Sequence, residues 1–148
     1  MEKLQGVSES TVTTDDLTGR IIGTAFDVAN ELGHGFVESV YESALLVALI
    51  KRGIRAKRQV SLKVYYQQVI VGEFFADLLV EDEIIIELKC VQALLPEHQA
   101  QLINYLKATG LQTGLLLNFG RGRVQHKRCF ISALKELEDF VAARKDRE

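Results

Sequence analysis

Residues Gly72–Cys90 read GEFFADLLVEDEIIIELKC, and the fold turns on how this stretch is arranged. Val69–Val80 is apolar, aromatic and β-branched, with Glu73 and Asp77 as its only carboxylates. Glu81-Asp82-Glu83 is polar, Ile84-Ile85-Ile86 restarts an apolar run, and Glu87-Leu88-Lys89 ends it. β-branched runs separated by a short polar segment predict two strands and a tight turn. Side chains alternate faces along a strand. Ile84, Ile86, Leu88 and Cys90 therefore share one face, and Ile85, Glu87 and Lys89 the other. A turn centred on Asp82 pairs residues whose numbers sum to about 164, which sets Asp77 opposite Glu87. A slip of one residue would send the two carboxylates to opposite faces. Charges inside such runs are costly to bury unless they are paired or bind a metal.

The surrounding chain of 148 residues suits one domain with a single core. A net charge of −2 gives no global pull toward nucleic acid, so any such binding relies on local patches. Cys90 and Cys129 are too few for a disulfide framework and are expected to be free thiols in a reducing compartment. The N-terminus lacks a signal-peptide core, and the longest apolar run, Ala44–Ile50, is too short to span a bilayer. A cytoplasmic protein is expected.

Residues 1–13 are Ser/Thr/Glu-rich and read as a flexible arm ahead of a domain over 14–148. Thr13 or Thr14 suits the cap of a helix whose apolar positions Leu17, Ile21, Ala25, Val28 and Leu32 recur at steps of three and four. Gly33 ends it, and Gly33-His34-Gly35 reads as a flexible junction. A second helix runs over about Glu38–Arg52. Its Glu38 either complements the helix N-terminus or serves a site, and Tyr41 shares its face. Alternation at Val60, Leu62 and Val64 predicts a strand ending in Tyr65-Tyr66, tyrosines that either stack on bases or cover the core.

Pro96 at the first position and Gly110 as the stop predict a third helix, with Leu102, Ile103 and Leu106 toward the core. Gln101 and Tyr105 lie one turn apart on one side of it, and His98 falls on its surface. Leu111–Phe119 reads as a buried strand and Val124–Ile131 as the last one. Ser132 would cap a final helix with an apolar stripe of Leu134, Leu137, Phe140 and Val141. Two basic groups stand out. Lys51, Arg52, Arg55, Lys57 and Arg58 form one, and Gly120-Arg121-Gly122-Arg123 the other. Each is either a phosphate-contacting edge or a solvated loop. The order α-α-β-β-β-α-β-β-α fits one α/β sandwich around a mixed sheet.

Asp77 followed by Glu87-Leu88-Lys89 on the next strand resembles the pattern of the PD-(D/E)xK nuclease superfamily. Gly35, Glu38 and Tyr41 match the G-x-x-E-x-x-Y signature, so the chain also resembles the GxxExxY family of small bacterial and archaeal proteins. The resemblance runs from about Leu17 to Phe130. It implies a restriction-endonuclease-like fold with helices flanking a central mixed sheet. It further implies a phosphodiesterase or nuclease site with Mg2+ or Mn2+ on Asp77 and Glu87, assisted by Glu38 and the Leu88 carbonyl. Lys89 would hold or activate water or stabilise developing charge, and Gln101 and Tyr105 would position phosphate or water. Arg55, Lys57, Arg58, Arg121 and Arg123 are the candidate phosphate contacts. Such a site suits a hard cation, which takes oxygen ligands and usually one or two protein carboxylates. The expected partners are DNA or RNA. A homodimer stays open, and neither a membrane nor an organic cofactor is expected. The competing reading is a non-enzymatic nucleic-acid- or protein-binding module that keeps the nuclease fold. A Rossmann-type nucleotide enzyme is a poor reading, because no G-x-G-x-x-G follows a strand.

Overall fold

The computed structural model describes residues 13–131 and 140–145. Its elements are α1 (Thr14–Leu32), α2 (Glu38–Lys51), β1 (Ala56–Tyr66), β2 (Val69–Val80), β3 (Ile84–Lys89), α3 (Pro96–Thr109), β4 (Thr113–Asn118) and β5 (Gln125–Phe130). Residues 140–145 are helical, with Phe140 and Val141 exposed. The expected N-terminal arm before Thr13, and Ser132, Leu134 and Leu137 of the expected last helix, lie outside the described residues.

The five strands form one sheet in sequence order. Neighbours are antiparallel except β3 and β4, which α3 joins as a parallel pair. α1 and α2 cover one face, burying Leu17, Ile21, Leu45 and Leu49 against Leu78, Ile84, Ile86 and Leu88. α3 covers the other, burying Leu102 and Leu106 against Leu62, Ile85 and Leu116. Local chemistry explains the boundaries. Thr13 Oγ1 accepts from the Asp16 N–H at 3.1 Å and caps α1. His98 Nδ1 accepts from the Leu95 N–H at 3.0 Å, so this histidine closes the start of α3. Gly110 ends α3 in the left-handed region.

β2 and β3 pair Leu78 with Ile86, Leu79 with Ile85 and Val80 with Ile84, the expected register. Glu81 and Asp82 both have positive φ, and the Glu83 N–H closes the turn onto the Val80 carbonyl at 3.0 Å. The ladder stops there, one pair short of Asp77 and Glu87. β2 continues with β1 alone, making a two-stranded ribbon that leans on α3. Leu78 and Val80 belong to the α1/α2 layer, whereas Ala76, two residues earlier, belongs to the α3 layer. The hairpin therefore reverses its faces at Asp77. Opposite this point Gln59 has φ 52°, and no Gln59–Asp77 pair joins the ladder between Arg58–Leu78 and Val60–Ala76.

Candidate active site

The notch opened where β2 leaves β3 gathers the charged side chains. Glu87 Oε1 accepts from the Asp77 N–H at 3.2 Å, and Asp77 Oδ2 accepts from the Leu88 N–H at 2.8 Å. Side-chain carboxylates thus take over backbone groups that the interrupted ladder leaves unpaired. Glu87 is only 5% exposed. Burial first, and then the Asp77 charge, push its carboxyl up to about 8. Burial also raises Asp77, against the pull of the Leu88 N–H. Burial, followed by Asp77, raises Glu38, while Lys89 draws it down. Lys89 is half-buried and acts electrostatically on Glu38, Asp77 and Glu87 alike.

Glu38 opens α2 directly after Val37, whose backbone is extended. Tyr41 is 1% exposed, donates to the Gly33 carbonyl at 2.7 Å and stacks on Phe119 with ring centroids 4.7 Å apart. Gly35 has φ 108°, a conformation that other residues rarely adopt. Gly35 and Tyr41 therefore shape the loop that delivers Glu38. From α3, Gln101 Nε2 donates to Tyr105 Oη at 3.0 Å. Burial first, then the charges of Glu87 and Asp77, raise the Tyr105 hydroxyl. Asp77 and Glu87 thus interlock at the notch, with Lys89 two residues on along β3 and Glu38 at the start of α2, and Gln101 and Tyr105 form a pair on α3.

The basic groups divide. Arg55 pairs with Glu81 at 2.9 Å and Lys57 with Asp82 at 3.6 Å, at the turn end of the hairpin, where a recess of about 470 Å3 also reaches the end of α2. Arg58 turns to Glu42 at 3.2 Å. Arg121 and Arg123 line a separate recess with Val124 and Gln125. Tyr65 and Tyr66 are 60% and 66% exposed, so they do not cover the core.

Sequence patterning misses three residues. Glu42 is a buried carboxylate satisfied by Arg58 Nε and by Gln59 Nε2 at 2.9 Å. The same Gln59 amide reaches Asp77 Oδ1 at 3.5 Å. Asn118 is fully buried at the end of β4. It accepts from the N–H groups of Val91 and Gly120 and donates to the Val91 carbonyl and to Gln125. This knot ties the chain leaving Lys89 to the end of β4. Gly120 is required there, because a Cβ would lie 2.3 Å from the Val91 nitrogen.

Among the described residues, no three His, Cys, Asp or Glu side chains form a ready-made metal cage. The Asp77–Glu87 pair nevertheless suits a hard divalent cation. Its donors are oxygens, its mutual repulsion is what a cation relieves, and two carboxylates are the usual protein share for Mg2+.

Residues 15–129 match the family described as the PD-(D/E)XK nuclease superfamily. Among solved structures, the chain is similar to a protein designated SSO0001, at 16% identity over 86% of each chain with a TM-score of 0.45. It is also similar to LHK-Exo, an alkaline exonuclease from Laribacter hongkongensis, at 16% identity over 88% of this chain and 90% of that one, TM-score 0.45. The dAMP complex of LHK-Exo gives 18% identity over the same shares, TM-score 0.46. No curated protein matches.

Proposed function

The chain belongs to the PD-(D/E)XK nuclease superfamily, and on that premise we propose that it is a metal-dependent phosphodiesterase acting on nucleic acid, of the GxxExxY type. The observation that carries this proposal is the interlocked Asp77–Glu87 pair with Lys89 beside it. Asp77 and Glu87 would hold Mg2+ or Mn2+, with Glu38 assisting across the notch. When bound, the cation supplies charge neutralisation on the phosphate and acidifies a coordinated water.

The remaining work falls to the chain's own residues. Leu88, whose N–H is fixed by Asp77, presents its backbone next to the site. Lys89 Nζ orients the attacking water and balances negative charge developing on the phosphate. Tyr105 Oη, held by the Gln101 amide, hydrogen-bonds a phosphate oxygen or that water. Gln59 and Arg58 keep Glu42 satisfied, and Glu42 adds negative charge beside Asp77.

The test is cleavage of DNA and RNA substrates, single- and double-stranded, in Mg2+ and Mn2+. Cleavage by the wild type that disappears in Lys89→Ala and Glu87→Ala supports the proposal. A folded, metal-loaded wild type inert on all of these substrates favours the binding module. No helix among the described residues is long and apolar enough to cross a membrane.

A further inference from the structure

Between the β1–β2 ribbon and α3 lies a recess of about 570 Å3, lined by Val64, Tyr65, Phe74, Gln101, Asn104, Tyr105, Lys107 and Ala108. Its size falls in the usual range for small-molecule sites, roughly 300–1,000 Å3. We propose that this recess takes one unpaired nucleobase of the substrate strand, stacked against Tyr65 and Phe74, so that the protein acts on single-stranded or frayed nucleic acid.

The proposal rests on the nuclease reading and adds the substrate class. Four observations carry it. The recess is lined by the hydrogen-bonded Gln101 and Tyr105, the two α3 residues assigned to phosphate or water in the nuclease reading. Its walls are aromatic and open. Phe74 and Tyr105 have ring centroids 5.5 Å apart, and Tyr65 and Phe74 are 60% and 43% exposed. A large exposed aromatic surface is unfavourable in water unless something covers it.

The ribbon is also built to make room. The β1–β2 register shifts between Val64 and Tyr65, and both residues line the recess. Bulges of this kind re-aim side chains beside active sites. Finally, the polar groups at the rim suit a nucleotide. Lys107 offers a cation for the backbone, and the exposed Asn104 amide offers both donor and acceptor to a base edge. A base stacked in a helix of paired strands has no free face to offer two rings, so the recess selects against intact duplex.

The experiment uses the full chain in Mn2+ with phosphorothioate-blocked oligonucleotides. One is a single strand carrying 2-aminopurine, the second carries an abasic site at that position, and the third is the duplex. The expected result is quenching of 2-aminopurine on binding, with binding of the abasic strand and of the duplex weaker by about tenfold. Tyr65→Leu and Phe74→Leu, which keep apolar bulk and lose the ring face, weaken the single strand by a similar factor and abolish the quenching. Tyr65→Phe restores both. Mn2+ affinity stays unchanged in all three variants, which separates the recess from the metal site.

Equal binding of intact and abasic strands by wild type and variants overturns the base recess while leaving the nuclease reading standing. Absence of binding to any oligonucleotide, with Mn2+ bound, overturns both. Self-association in sedimentation that Tyr65→Leu abolishes, without any effect on oligonucleotide binding, assigns the aromatic surface to a second copy and also overturns the proposal.

Discussion

Asp77 and Glu87 face each other one step beyond the last hydrogen-bonded pair of β2 and β3. Glu87 accepts the Asp77 N–H at 3.2 Å, and Asp77 accepts the Leu88 N–H at 2.8 Å. Each carboxylate is thereby anchored to the strand that carries the other. This anchorage keeps two like charges together in a buried place, where repulsion would otherwise drive them apart.

The arrangement sets a pH dependence of stability in metal-free protein. Burial, then Asp77, raise the Glu87 carboxyl from 4.5 to about 8, and burial raises Asp77 and Glu38 in the same direction. Between those limits the folded chain keeps a proton that the unfolded chain has released. Stability contributed by the protonated form is therefore complete below about pH 4.5 and is lost as pH rises through 8. Urea denaturation across this window should show that fall, Glu87→Gln should flatten it, and Mn2+ at pH 8 should reverse it.

Gln59 bridges Glu42 and Asp77 from a left-handed backbone conformation, at φ 52°. Such strain in a non-glycine residue costs about 1–3 kcal/mol and tends to persist at functional sites. In Gln59→Gly the released strain is offset by the unfolded-state entropy of glycine and by the lost hydrogen bond to the buried Glu42, so stability should fall by about 1–2 kcal/mol. Metal-dependent cleavage should fall by about tenfold or more as Asp77 loses its amide partner. Comparing urea midpoints with kcat separates the two effects.

Tyr41 serves the site through the loop it ties down. Tyr41→Phe removes the hydrogen bond to the Gly33 carbonyl and keeps the stack on Phe119. The expected loss is about 1 kcal/mol of stability, read from urea denaturation. Hydrogen exchange at Phe36, whose N–H also points at the tyrosine oxygen, should quicken.

Much of this was legible in the chain. The alternation of Ile84–Lys89 assigned the faces of β3, and a polar turn centred on Asp82 was enough to predict its register with β2. The i, i+4 spacing of Gln101 and Tyr105 placed them together, because helix geometry is local. Other features depend on how separate elements cross. The parting of β2 from β3 leaves no mark in the side-chain pattern, since β2 stays apolar while it pairs with β1 alone. Glu42 and Gln59 meet Asp77 only because α2 lies over the irregular point of β1. Asn118 sits within an apolar run, and its role depends on Val91, 27 residues away. Arg55 and Lys57, readable either as a phosphate-contacting edge or as a solvated loop, pair with the carboxylates of the turn, a contact that only the folded hairpin reveals.

Asn118→Ala should be among the more damaging substitutions outside the carboxylates. It strips partners from the N–H groups of Val91 and Gly120 and from the Val91 carbonyl together, and empties a fully buried position. A loss of about 2–4 kcal/mol is expected in urea denaturation. Asn118→Asp should recover part of it, because a carboxylate still accepts from both N–H groups.

The most direct test is calorimetric titration of Mn2+ into wild type, Asp77→Ala and Glu87→Ala, with and without a blocked oligonucleotide, each variant first checked for a native circular dichroism spectrum. A single site in the wild type that either substitution weakens at least about tenfold, and that oligonucleotide tightens, is the expected result. Equal Mn2+ affinity in wild type and both folded variants, or no binding even with oligonucleotide present, would contradict a metal held by Asp77 and Glu87.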